Sequence, residues 1–151
     1  MKILITAFEP FGGETINPAL EAVSRLPERI GDAGIVTLRL PVVFGESAEA
    51  LREAVRRERP EAVICVGQAG GRAGISIERV AINVEDARIP DNAGDQPRDR
   101  TIVPDGPAAY FSTLPIREME KAVRDAGIPA AVSNSAGTYV CNSIKIGRAS
   151  W

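Results

Sequence analysis

The sequence predicts an α/β fold in which helices cover both faces of an open, mainly parallel sheet. Strand-like and helix-like segments alternate along the chain, which is typical of this three-layer α/β/α arrangement. Residues 62–67 form a continuous apolar run, as expected of a strand covered on both faces by helices. The 151 residues are 44% hydrophobic, so we expect one domain with a sizeable core.

The first elements are a strand, a loop and a helix. Residues 2–8 are an apolar run rich in β-branched side chains, and the loop at residues 8–13 follows it. Asn17-Pro18 is typical of a helix N-cap followed by proline at the first helical position. This pattern predicts a helix that runs to about Leu26.

The alternation continues along the chain. Residues 35–43 form a second apolar run, and residues 47–57 have apolar side chains spaced for one buried helical face. Residues 116–123 predict another amphipathic helix. Cys65 lies inside the apolar run at 62–67, so we expect a desolvated, unreactive core cysteine in a central strand.

Charge and composition exclude several kinds of function. The net charge of -2, from 18 basic and 20 acidic residues, provides no electrostatic footprint for nucleic acid or for an anionic membrane. No apolar run approaches the roughly 18 residues of a membrane span. Residues 1–7 lack a signal-peptide pattern, and Cys65 and Cys141 form no CxxC pair, so we expect a reducing, cytoplasmic location.

Histidine is absent from the sequence. This removes the commonest general base and the commonest metal ligand together. The two cysteines are far apart and the carboxylates are scattered, so we expect no metal site and no cofactor.

Residues 130–142 carry the first candidate catalytic group. They are typical of a short apolar strand, a turn of small residues and the start of a helix that carries Cys141. Unpaired N–H groups and the positive end of the helix dipole stabilise a thiolate at such a position and lower the pKa of the cysteine. The alternative is that Cys141 is a buried packing residue, as single cysteines commonly are.

Glu78 is the second candidate. Apolar residues between Ile75 and Val84 alternate in one phase before Glu78-Arg79 and in the other phase after it. A β-bulge there would re-aim a side chain, and bulges favour active sites. The alternative is an edge strand with a solvated Glu-Arg pair. Residues 85–107 are rich in Pro, Asp and Gly, which predicts a lid or a binding loop.

Ligands in open parallel sheets bind beyond the carboxyl ends of the strands. Three segments are expected there, namely the loop at residues 8–13, the loop at residues 68–74 and the turn into Cys141. The glycine-rich segment 67–74 matches neither phosphate-binding pattern, so a nucleotide site is not favoured.

Six stretches, in one order from residue 2 to residue 142, resemble pyroglutamyl peptidase type I, the pyrrolidone-carboxylate peptidase family of cysteine exopeptidases. The matching stretches are Phe8-Glu-Pro-Phe-Gly-Gly13 with Asn17-Pro18, Gly67-Gln68, Ile77-Glu-Arg-Val-Ala-Ile-Asn83, Asp86-Ala-Arg-Ile-Pro-Asp-Asn92, Ala109-Tyr-Phe-Ser-Thr-Leu-Pro115 and Ser133-Asn-Ser-Ala-Gly-Thr-Tyr-Val-Cys-Asn142. The resemblance implies hydrolysis of an N-terminal pyroglutamyl residue from a peptide by a Cys-His-Glu triad.

The resemblance assigns catalytic roles residue by residue. Cys141 matches the nucleophile, and Glu78 matches the carboxylate that orients the histidine. Arg88 matches an arginine near the nucleophile that helps to stabilise the developing oxyanion.

The resemblance also assigns recognition roles. Phe8 and Phe11 match the aromatic residues that sandwich the flat pyrrolidone ring. Three further residues match positions that hold the recognition loop, residues 8–13, and the lactam: they are Asn17, Gln68 and Val140. Two apolar faces and one polar edge make a cyclic amide recognisable by aromatic rings and a few hydrogen-bonding groups.

The resemblance ends at Asn142. We therefore expect residues 1–142 to form a family-like domain that is incomplete at its C-terminus, and residues 143–151 to be an unmatched, poorly ordered tail, as in a truncated or divergent chain. The family supplies its histidine after this point. Two hypotheses follow: a cysteine exopeptidase, or a catalytically dead homologue that binds pyroglutamyl peptides or pairs with a full-length subunit. The family also implies a homo-oligomer, often a tetramer.

Overall fold

Four strands form the main sheet of the protein, whose computed structural model describes residues 1–149, with side chains described through residue 146. The strands are β1 (Lys2–Phe8), β2 (Arg29–Ile30), β3 (Ala33–Leu40) and β4 (Ala62–Val66). Their order across the sheet is β2-β3-β1-β4, and β1 is parallel to both β3 and β4. The short β2 is antiparallel to β3. The mainly parallel sheet agrees with the prediction.

Six further strands in the described chain lie in three pairs. They are β5 (Ile75–Glu78), β6 (Val80–Ile82), β7 (Val84–Glu85), β8 (Arg100–Thr101), β9 (Ala109–Phe111) and β10 (Ala130–Ser133). β5 is parallel to β10, whereas the β6–β9 and β7–β8 pairs are antiparallel.

The change of phase at Glu78-Arg79 marks a change of strand partner. β5 ends at Glu78, and the chain continues as β6 beside a different strand. The Arg79 N–H donates to the Ser133 carbonyl at 2.8 Å, and the Arg79 carbonyl accepts from the Ser112 N–H at 2.7 Å. The predicted bulge is therefore wrong, because Arg79 links the β5–β10 pair to the β6–β9 pair and does not interrupt the hydrogen bonding of one strand pair.

The helices are α1 (Pro18–Ser24), α2 (Glu46–Glu58), α3 (Ile116–Asp125) and α4 (Val140–Ala149). α3 packs against β5 and β10, whereas the other three helices cover the two faces of the main sheet. On one face of β1, Ile5 and Ala7 pack in one cluster with Ala19 of α1. On the other face, Leu4 and Phe8 share a cluster with α2 and α4. This is the three-layer α/β/α arrangement that the sequence predicted.

The start of α1 follows the local sequence signal. Asn17 is the N-cap, and its side-chain oxygen accepts from the Ala19 N–H at 3.0 Å. Pro18 occupies the first helical position, where its missing N–H costs nothing. The helix ends at Ser24, two residues before the expected end at Leu26.

Residues 143–149 belong to a helix, so the prediction of a poorly ordered tail is wrong for them. α4 continues to Ala149, and Ile144 and Ile146 are buried. Asn142 fixes the helix to the strands, because its Nδ2 donates to the carbonyls of Ile82 at 2.8 Å and Val84 at 3.1 Å. Ser150 and Trp151 lie outside the described residues.

The segment predicted to be a lid or binding loop is held by polar contacts, some of them buried. The Asp91 carboxylate accepts from the N–H groups of Phe44 at 2.8 Å, Ala93 at 2.9 Å and Asp95 at 2.9 Å. Arg100 lies 2.7 Å from both Glu85 Oε2 and Asp95 Oδ2. These contacts favour a fixed loop over a lid.

Candidate active site

A cavity of about 580 Å³ lies beside β4 and β5, at the end of β1. Its walls come from these strands, from the loop after β4, from β6 and β9, and from α3 and α4. Most of the lining is apolar. The size falls within the range of about 300–1,000 Å³ that is usual for ligand pockets.

Cys141 lines this cavity from the first turn of α4. The residue is partly exposed, but its thiol is surrounded by protein atoms, and the backbone of Gly67 lies against it. A Cβ atom at Gly67 would lie 3.2 Å from Cys141 Sγ, so the missing side chain makes room for the thiol. The sequence-based expectation that Cys141 sits at a helix start is thus confirmed.

The pKa of Cys141 moves in the opposite direction from the expected one. Burial among protein atoms raises the pKa of the thiol to about 11, although nearby Lys145 and a backbone hydrogen bond both lower it. Desolvation therefore outweighs the helix start. Arg88, which the resemblance places near the nucleophile, is not among the causes of this shift.

Glu78 points into the same cavity from the end of β5. Its Oε1 lies 3.3 Å from Arg72 Nη1. Its Oε2 is buried and has no hydrogen-bond partner in the described part of the chain. The carboxylate thus pairs with Arg72 and not with its sequence neighbour Arg79, so the solvated Glu-Arg pair considered from the sequence is wrong.

Lys145 is a residue that the sequence reasoning missed. It lines the cavity one helical turn after Cys141, and its Nζ is buried without a hydrogen-bond partner among the described residues. Burial lowers the pKa of the Lys145 ammonium, and Glu78 opposes this shift. The signal was present in the sequence as a lysine four residues after the cysteine, between Ile144 and Ile146.

Cys65 also faces the cavity. It lies in β4, which is the outer member of the four-stranded order and not a central strand. Its side chain is only partly buried. Cys65 packs against the core, as expected, but the expectation of a desolvated cysteine in a central strand is wrong, because the neighbour beyond β4 is a cavity instead of another strand of that sheet.

Two of the five expected recognition residues line the cavity. Phe8 is 2% exposed and forms part of both the core and the cavity wall, and Gln68 is an exposed lining residue. Phe11 is not in the lining and packs its ring on Tyr139, with 5.9 Å between ring centroids. Val140 is buried in the core at the start of α4.

Asn17 supports the loop that carries these phenylalanines. Its Nδ2 donates to the Glu9 carbonyl at 3.2 Å while its Oδ1 caps α1. One buried amide therefore couples the position of the loop to the start of the helix.

Arg88 is not brought to the cavity. Its side chain is exposed, and the carbonyl of Arg88 accepts from Gln96 Nε2 at 3.0 Å.

The described residues also contain no group of three or more His, Cys, Asp or Glu side chains that could hold a metal ion. None of the helices within residues 1–149 is long and apolar enough to cross a membrane.

The family model and the curated relatives that match this chain are all pyroglutamyl or pyrrolidone-carboxylate peptidases. A family model described as pyroglutamyl peptidase matches residues 1–149, which extends past Asn142. The pyrrolidone-carboxylate peptidase of Levilactobacillus brevis is 59% identical over 144 residues, which are 95% of this chain and 71% of that protein. The Streptomyces coelicolor protein of the same name is 57% identical over 147 residues, which are 97% of this chain and 68% of that protein.

Solved structures agree with the sequence relatives. The crystal structure of Bacillus amyloliquefaciens pyroglutamyl peptidase I matches with a TM-score of 0.95 at 53% identity, covering 97% of this chain and 72% of that one. Pyrrolidone carboxyl peptidase from Thermococcus litoralis matches with a TM-score of 0.95 at 43% identity, covering 99% of this chain and 68% of that one.

Proposed function

The chain belongs to the pyroglutamyl peptidase family, and we propose that it is a cysteine exopeptidase that removes an N-terminal pyroglutamyl residue from peptides. The observation that carries the proposal is the position of Cys141, at the first turn of a helix and facing an apolar cavity that also holds Glu78. In this proposal Cys141 is the nucleophile and Glu78 the orienting carboxylate.

The walls of the cavity suit the substrate chemically. A pyrrolidone ring has two apolar faces and one amide edge, so it needs apolar surface and a few hydrogen-bonding groups. Phe8 supplies apolar surface, and the Gln68 side chain supplies an amide at the same cavity. Phe11 would complete the proposed sandwich only by leaving Tyr139, and no contact of Arg88 supports its proposed oxyanion role.

Hydrolysis would proceed in two steps. Attack of the Cys141 sulfur on the pyroglutamyl carbonyl carbon gives a thioester and releases the shortened peptide, and water then releases pyroglutamate. The attack needs a proton acceptor, because a cysteine is a thiol at neutral pH and burial raises the pKa of Cys141 further, to about 11. No histidine is present among the 151 residues to act as that acceptor.

That same pKa favours a second candidate function. A protein that keeps the cavity but holds a neutral thiol would bind pyroglutamyl peptides without cleaving them. Such a binding protein could act alone or beside a full-length subunit. The tetramer that the family resemblance implies stays a prediction.

Turnover of a chromogenic pyroglutamyl anilide separates the two functions. We expect the anilide to be hydrolysed by the unaltered chain and not by Cys141→Ala, with pyroglutamate binding retained in both when measured by calorimetry. Binding by both proteins without turnover by either would favour the binding function. Absence of both binding and turnover in a folded chain would contradict both candidates.

A further inference from the structure

The two carboxylate oxygens of Glu78 have different surroundings. Oε1 lies 3.3 Å from Arg72 Nη1, whereas Oε2 is buried and has no hydrogen-bond partner among the described residues. The Glu78 side chain is 17% exposed, and both residues line the cavity. Buried polar atoms are nearly always paired in folded proteins, so an open oxygen on a cavity residue indicates a place for a donor that takes part in the chemistry of the site.

A tight turn brings Arg72 to this carboxylate. The Arg72 N–H donates to the Ala69 carbonyl at 3.4 Å, which closes a turn over residues 69–72. Gly71 is the third residue of the turn and has a φ of 79°, as a type II turn requires at that position. Ala69 and Arg72 line the cavity, whereas Gly70 and Gly71 are outside its lining. The turn therefore sets the position from which the guanidinium reaches Glu78.

The backbone of Glu78 is fixed by a different set of contacts. Glu78 is the last residue of β5, where it lies opposite Ser133 of the parallel strand β10. The strand pairing holds the Cα atom in place and leaves the side-chain rotamer to be chosen by local contacts. The ion pair with Arg72 is the contact that selects it.

We propose that Arg72 is a positioning residue for the reaction, which binds Oε1 of Glu78 and so keeps Oε2 available as the acceptor for a hydrogen-bond donor in the cavity. The proposal rests on the proposed function for the identity of the reaction, but the link between Arg72 and Glu78 does not depend on the substrate. Arg72 acts through Glu78 and not on the thiol. The groups whose charge shifts the pKa of Cys141 are Lys145, Cys65 and Glu78, and Arg72 is not one of them.

Loss of Arg72 would leave Glu78 Oε1 without this partner as well. A buried carboxylate without partners turns towards water or takes up a proton, because its charge is costly inside the protein. Either change removes the acceptor at Oε2 and takes the negative charge away from the thiol. Glu78 raises the pKa of Cys141, so we expect the thiol of Arg72→Met to ionise more readily. The substitution should therefore speed alkylation of Cys141 while it slows turnover.

A double-mutant cycle on the alkylation rate tests the link. The rate with iodoacetamide is followed by peptide mass spectrometry, so that Cys65 is scored separately, for the unaltered chain, Arg72→Met, Glu78→Gln and the double variant. We expect each single substitution to speed alkylation of Cys141 at pH 8 about two- to threefold. The double variant should be no faster than Glu78→Gln, because Arg72 has no other route to the thiol.

An arginine of a similar ion pair provides the matched control. Arg117 Nη1 lies 3.0 Å from Glu120 Oε2 on α3, and the Glu120 side chain is 15% exposed. Arg117 is not part of the cavity lining, so Arg117→Met should leave the alkylation rate of Cys141 unchanged. Slower alkylation in Arg72→Met, or the same acceleration with and without Glu78, would overturn the proposal.

The dependence on pH separates this effect from a loosened cavity. A change in the pKa of Cys141 moves the rate profile along the pH axis, so the difference between Arg72→Met and the unaltered chain should shrink as the pH approaches 11. A loosened cavity would multiply the rate by the same factor at every pH. The second pattern would mean that Arg72 has a structural role alone, and it would overturn the proposal.

Two glycine variants cover the case in which Arg72→Met does not fold. A Cβ atom at Gly70 or at Gly71 would meet no described atom within 4 Å, but Gly71 alone of the two has a positive φ. Gly71→Ala should therefore distort the turn that carries Arg72, and Gly70→Ala should not. We expect Gly71→Ala to speed alkylation of Cys141 as Arg72→Met does, and Gly70→Ala to match the unaltered chain. Identical rates for the two glycine variants would overturn the placement of Arg72 by this turn.

Turnover of the pyroglutamyl anilide connects the positioning role to the reaction. Arg72→Met should lower kcat by about tenfold and change KM little, and Arg72→Lys should restore part of the loss because it keeps a positive charge. If the unaltered chain shows no turnover while the alkylation cycle gives the expected coupling, the peptidase function fails and the link between Arg72 and Glu78 stands. Turnover that is the same in the unaltered chain and in Arg72→Met would overturn the positioning role and leave the peptidase function intact.

Discussion

The recognition loop and the cavity meet at Phe8 but differ in how their polar groups are paired. The polar groups of the loop are hydrogen-bonded, whereas several buried ones at the cavity are not. In the recognition loop, Glu9 Oε1 accepts from the Val42 N–H at 3.1 Å and from Asn92 Nδ2 at 2.9 Å, and Asn92 also donates to the Pro10 carbonyl at 3.0 Å. In the cavity, buried charged atoms of Glu78 and Lys145 have no partner in the described chain.

The two regions therefore have different roles. Paired polar groups fix a backbone in one geometry, which is what recognition of a rigid ring needs. Unpaired charged groups cost stability and remain reactive, which is what proton transfer needs. A rigid loop and a reactive cavity should therefore respond differently to substitution.

The largest effect is expected at Phe8, where the two regions meet. Phe8 is 2% exposed within the core, so Phe8→Ala should lower the free energy of unfolding by about 3–5 kcal/mol. Phe11 is only partly buried against Tyr139, so Phe11→Ala should cost about 1 kcal/mol. Urea denaturation of both variants measures this. Equal losses would show that the two rings have the same structural role.

Asp91 tests the rigid support. Its carboxylate is 6% exposed and accepts three backbone N–H groups, which Asp91→Ala would leave unsatisfied. We expect a loss of about 2 kcal/mol in the free energy of unfolding. The matched control is Asp95→Ala, which removes an exposed ion pair with Arg100 and should cost well under 1 kcal/mol. An Asp91 variant as stable as the Asp95 variant would contradict this explanation.

The cavity should show a distinct dependence of stability on pH. The folded pKa of Cys141, about 11, lies above its ordinary value of 9.0, so the stability it contributes is complete below pH 9 and is lost as the pH rises towards 11. The folded pKa of Lys145 is lowered, so its contribution has the opposite sign and stability increases as the pH approaches 10.5. The two terms oppose each other in the unaltered chain.

Single substitutions separate these two terms. Lys145→Met removes the opposing Lys145 term, so the Cys141 term should lower the free energy of unfolding by up to about 2 kcal/mol between pH 9 and 11. Burial also raises the pKa of Tyr139, which acts in the same direction in both variants. Cys141→Ala removes the Cys141 term and keeps the Lys145 term, so stability should rise relative to Lys145→Met over the same range. Denaturation midpoints at several pH values decide this, and parallel curves for the two variants would refute the opposed signs.

Features set by neighbouring residues in the chain could be predicted from the sequence. The Asn17-Pro18 start of α1 and the position of Cys141 at the start of α4 depend on local backbone rules, and both are confirmed. The parallel sheet follows from the alternation of apolar runs, because each run must be buried on both faces.

Features set by distant contacts could not be predicted. The pKa of Cys141 depends on the burial of its thiol beside β4 and β5, which are distant in the sequence. The position of Cys141 at a helix start does not reveal this desolvation. The phase change at Glu78 shows that the regular alternation of the strand is interrupted. It does not show that β5 pairs with β10 while β6 pairs with β9. The packing of Phe11 on Tyr139 joins segments from opposite ends of the chain.

The smallest effect on stability is expected at Asn92, where it should be accompanied by a change in binding. Asn92 is exposed, and its Nδ2 donates to Glu9 Oε1 and to the Pro10 carbonyl. Because exposed hydrogen bonds contribute little, Asn92→Ala should cost less than about 1 kcal/mol of unfolding free energy. The loop at residues 8–13 would nevertheless lose two of its hydrogen bonds, so pyroglutamate affinity measured by calorimetry should fall several-fold. Asn92→Asp should weaken binding further, because it places a second carboxylate beside Glu9. Unchanged affinity in both Asn92 variants would mean that the other hydrogen bonds of the loop, from Asn17 and Val42 to Glu9, are enough to hold it.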